Sequence, residues 1–96
     1  MPVIHAAPLL DVARLDDDEL LSWYGRLGAL LDRIAAEHAA TVAAFRHTVL
    51  RGGSTPVDQA AFDRRLVSLA TRRTRLDAEH RRVRGEATVR GLSWGF

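Results

Sequence analysis

The chain has 96 residues, enough for one domain, and Ala, Leu, Arg and Glu supply 46 of them, the composition of long helices when the hydrophobic period agrees. Cysteine is absent, which excludes disulfide frameworks, Cys-based zinc sites and thiol catalysis. The formal net charge of +2 hides an asymmetry, because residues 1–45 hold seven acids and three Arg whereas residues 46–96 hold five acids and eleven Arg.

Residues 1–15 read as an apolar N-terminal arm. Pro2 and Pro8 hold it extended at first, and a short helical turn can follow Pro8. No apolar run approaches the roughly 18 residues of a membrane span. The arm also lacks the positive n-region and sustained apolar stretch of a secretory signal, so a soluble, cytoplasmic protein is expected.

A first helix is predicted over 16–51. Asp16 and Glu19 stand at the capping-box spacing, and Leu15 and Leu20 flank them where a hydrophobic staple forms. Asp17, Asp18 and Glu19 place negative charge at the positive end of the helix dipole. Apolar residues then recur in steps of mostly three and four through Tyr24, Leu27, Leu31, Ile34, Val42, Phe45 and Val49. The pair Gly52-Gly53 supplies the residue that takes positive φ and ends the helix.

After a turn over 52–55, a second helix is predicted over 56–90. Thr55 is its N-cap, Pro56 takes the first position where no N–H is needed, and Asp58 stands third. Its seam runs through Phe62, Leu66, Leu69, Arg73, Leu76, His80, Val83 and Ala87 as a heptad pattern with two polar interruptions. Residues 91–96 form a tail with Trp94 and Phe96.

The short turn makes the helices antiparallel neighbours, so the fold class is all-α, a hairpin of two long helices. Folding at the turn sets Phe45 against Phe62, Val42 against Leu66, Leu31 against Leu76 and Leu27 against His80. It also carries Asp16–Asp18 to Arg84 and Arg90, which makes much of the charge asymmetry internal complementarity. The expected core is Leu27, Leu31, Ile34, His38, Val42, Phe45, Phe62, Leu66, Leu69, Leu76 and His80. The stretch Ala35–Ala44 is apolar on most sides, and such a helix is normally buried on most sides. Two hairpins dimerising into a four-helix bundle are the simplest way to cover it.

Function is read as non-catalytic: an oligomeric hairpin acting as adaptor, small chaperone or assembly subunit. Its partners are itself, as a homodimer or higher homo-oligomer, and another protein met through Trp23, Tyr24, Leu92, Trp94 and Phe96. No cofactor and no metal are expected. The sequence has adjacent Glu37-His38 and Glu79-His80 pairs where a di-iron bundle needs Glu-x-x-His, and His38 and His80 lie too far apart along one hairpin to share an ion. Nucleic-acid binding through the Arg-rich second helix is an alternative reading, and a metal- or ligand-binding bundle enzyme is another. Against the first, Asp77/Arg81, Arg75/Glu79 and Arg82/Glu86 form the i,i+4 pattern of a solvated face. Arg73 on the seam is expected to pair with Glu37 or Asp32.

Overall fold

Two capping boxes open the two helices of the computed structural model, which describes residues 11–92. A 3-10 turn at Val12–Arg14 leads into α1, Asp17–Leu50, and after the turn α2 spans Pro56–Val89. At the first box the Asp16 carboxylate accepts from the Glu19 backbone N–H at 2.8 Å, and the Glu19 carboxylate accepts from the Asp16 N–H at 2.9 Å. At the second, Thr55 Oγ1 accepts from the Asp58 N–H and an Asp58 carboxylate oxygen accepts from the Thr55 N–H, both at 3.1 Å. The expected helices are therefore present, with Asp16 and Thr55 as N-caps and Arg51 and Arg90 as C-caps.

Both helices end in the same way. Gly52 takes φ +74°, the Gly52 N–H donates to the Val49 carbonyl and the Gly53 N–H donates to that of Thr48. Gly91 takes φ +72°, and the Gly91 and Leu92 N–H groups donate to Thr88 and Ala87. Each is a Schellman closure, which satisfies carbonyls that the helix leaves open. Gly85, by contrast, sits inside α2 without interrupting it.

The antiparallel register follows the expected one at both ends. Phe45 and Phe62 stack with ring centroids 4.2 Å apart near the turn, and Arg90 reaches Asp17 at 3.0 Å at the open end. Between them the correspondence shifts by about one helical turn. His80 stacks on Tyr24 at 4.5 Å, rather than meeting Leu27, and it lies beside Gly28, where a missing side chain leaves room for the imidazole.

The core is concentrated at the open end. Leu20, Leu27, Val83 and Ala87 form a buried cluster, with Val12, Leu15, Trp23, Tyr24, Leu76 and Leu92 packed against it. Farther along, Ile34 and Leu69 are buried, whereas Leu31, Val42, Phe45, Phe62 and Leu66 are only half-buried. Nearer the turn, Leu50 and Val57 are 79% and 74% exposed. A pair of helices about 50 Å long offers each residue near its lower end only one neighbouring element, so the seam alone is covered. No helix among the described residues is long and apolar enough to cross a membrane.

The stretch Ala35–Ala44 differs from expectation. Within one hairpin its alanines are exposed, because α2 covers only the Ile34 side of α1 and nothing else lies over the rest. His38 is likewise exposed rather than set in the seam.

Candidate interaction surface

The open end is pinned by Arg90. Its Nε donates to a Glu86 carboxylate oxygen at 2.9 Å, Nη1 to Asp17 Oδ1 at 3.0 Å, and Nη2 to the Val12 and Ala13 carbonyls at 3.2 and 3.4 Å. The Glu86 hydrogen bond, then that of Asp17, raises the guanidinium above its ordinary pKa. One side chain thus ties α2, the start of α1 and the preceding 3-10 turn together. Arg84, its expected companion, is exposed and makes no such bridge.

At mid-length the two flanks of the hairpin differ. On one, Glu37 gathers Arg72 at 3.2 Å and Arg65 at 3.6 Å, while Arg65 Nε also donates to Thr41 Oγ1 at 3.3 Å. These are the arginines that take the place assigned to Arg73. The helical phase of Arg73 aims it at the opposite flank, and it pairs with neither Glu37 nor Asp32.

That opposite flank is a groove of about 770 Å³. Its floor is apolar, with Ile34 and Ala35 from α1 and Leu66, Leu69 and Ala70 from α2, and its rim carries His38, Arg73, Asp77 and Arg81. Asp77 and Arg81 pair along α2 at 3.1 Å. The other two expected pairs along α2 exchange partners: Glu79 binds Arg82 at 2.7 Å instead of Arg75, and Glu86 binds Arg90 instead of Arg82. The i,i+3 and i,i+4 neighbours on a helix surface are equivalent by distance, so the rotamer decides between them.

The expected partner-binding residues divide three ways. Trp23 and Tyr24 are half-buried against the hairpin's own core, with the Arg26 guanidinium 5.2 Å above the Trp23 ring and Tyr24 on His80. Leu92 is half-buried as the apolar residue that follows the Gly91 closure and packs on the cluster holding Ala87. Trp94, Phe96 and the N-terminal residues 1–10 lie outside the described residues.

For chemistry, the described residues bring no three of His, Asp and Glu together as metal ligands. The helix B arginines that would hold nucleic acid are largely engaged, with Arg65, Arg72, Arg81, Arg82 and Arg90 all bound to carboxylates. What remains unfilled is the apolar groove and the face of α1 beside it. Sequence reasoning identified His38, Leu66, Leu69 and Ile34 as interface residues but missed Ala70 and Ala78; their step from Leu66 and Leu69 was available, but Ala carries too weak a signal on a surface helix. Compared with known proteins, the chain matches no family model, no curated protein and no solved structure.

Proposed function

We propose that the protein is a non-catalytic, self-associating helical hairpin that serves as an adaptor, small chaperone or assembly subunit through protein–protein contacts. The surface left exposed by one hairpin carries this reading. The chain exposes 7019 Å², while a compact monomer of 10.6 kDa would expose roughly 5,500 Å² by the usual scaling. Its radius of gyration is 18.3 Å, against roughly 13 Å for a globular domain of about this length. The surplus is not merely polar rod surface, since it includes the groove floor, Leu21, Leu30 and Val49.

Association is the ordinary way to remove such apolar surface from water, at roughly 25 cal/mol per Å² buried. Sedimentation equilibrium of the full chain at micromolar concentration tests the reading. At least a dimer is expected, and a folded monomer would overturn it.

A further inference from the structure

The groove and the α1 face beside it have a form that fits one occupant. Leu21, Gly28, Ala35, Val42 and Val49 recur at every seventh position along α1, immediately beside the row of Leu20, Leu27 and Ile34 that packs on α2. This second apolar row is uncovered: Ala35 is exposed, Leu21 and Val49 are 36% and 45% exposed, and Gly28 and Val42 are half-buried. Seven-residue spacing is the signature of a helix–helix seam, so α1 carries one seam that is used and one that is free.

The free seam is complementary to itself. Ala35 lies near the middle of the 34-residue α1. If an identical helix crosses it antiparallel with the axis at Ala35, each residue meets the one equally far on the other side. Gly28 then meets Val42, the smallest opposite a branched side chain, and Leu21 meets Val49. Charge agrees with size, because Glu19 meets Arg51 and Asp32 meets His38. The acidic start and basic end of α1 are thereby brought together in both directions, as are the opposed helix dipoles.

We propose that a second copy of this chain occupies the groove, its α1 antiparallel to the first across a two-fold axis at Ala35, with the turns at opposite ends of the bundle. This rests on the self-association proposed above and specifies its face. Such an isologous contact closes on itself and stops at two copies. The surplus of about 1,500 Å² per chain exceeds the roughly 800 Å² per partner that a standard stable interface buries. The groove centre, at Ala35, Ala70 and Arg73, also sits at mid-length, so a two-fold axis there overlaps the hairpins along nearly their whole length.

The absence of cysteine allows a direct test on the full chain. Ala35→Cys and Ala44→Cys are made separately and treated with a short bismaleimide cross-linker, and the size of each is read on a denaturing gel. A covalent dimer is expected for Ala35→Cys, at the axis, and none for Ala44→Cys, on another side of α1. Gly28→Cys and Val42→Cys should link poorly alone and well when mixed; at Gly28 the nearest neighbour to an added Cβ is His80 Nε2 at 3.8 Å, an ordinary contact. If the wild-type protein sediments as a dimer but Ala35→Cys does not link, or Ala44→Cys links instead, this face is wrong while self-association stands. If the wild-type protein is a folded monomer, both fail.

Discussion

At the scale of single residues, Arg90 joins three segments that would otherwise be held only by the apolar cluster beneath it. Its bonds to Asp17, Glu86 and the carbonyls of Val12 and Ala13 predict that Arg90→Ala lowers the melting temperature clearly more than Arg84→Ala, whose side chain spans nothing. Because the folded state raises the Arg90 pKa, its contribution is complete at all pH values below the ordinary titration of arginine. It fades only as strongly alkaline pH passes the raised value. The glycines give a second contrast. Gly52→Ala should cost about 1 kcal/mol or more, since φ is +74° there, whereas Gly85→Ala should gain about 1 kcal/mol in a helix interior with open space at its Cβ. Urea denaturation at fixed protein concentration measures both.

Caps and stops were the most legible residues in the sequence. Asp16, Glu19, Thr55, Asp58 and the paired glycines act on backbone groups within a few positions, so local spacing determines their partners. Ion partners were less legible. Whether Glu37 takes Arg65, Arg72 or Arg73 depends on which flank each arginine occupies, and a shift of one position turns a side chain through roughly 100°.

At the scale of elements, the burial pattern predicts that stability resides in the open half of the hairpin. Leu69→Ala, at 1% exposure, should cost about 3 kcal/mol from lost transfer and a residual cavity. Leu50→Ala, at 79% exposure in the last turn of α1, should stay within about 0.5 kcal/mol. Equal losses at the two positions would contradict the distribution of the core. Helix limits and end-to-end register were readable because the seam advances in steps of three and four from a fixed turn. Lateral cover was not. Periodicity shows that the Ala35–Ala44 stretch is apolar on several sides, but the second hairpin needed to bury them is not part of the same chain.

For the whole molecule, a thin rod with an apolar groove and a free heptad row is a protomer shaped for a bundle. The sequence indicates two hairpins through the polarity of helix A. The groove, its rim of His38 and Arg73, and the free row beside it emerge only when α2 is placed and its shadow on α1 is known. Folding and association should consequently be linked, because burial of that face contributes only when two copies meet. The measurement that tests this most directly is thermal unfolding by circular dichroism at two protein concentrations a hundredfold apart. For a dimer of this size the melting temperature should rise by about 5–10 °C at the higher concentration. A cooperative transition at the same temperature in both samples would contradict the account, for it would show that the hairpin is complete as a single copy.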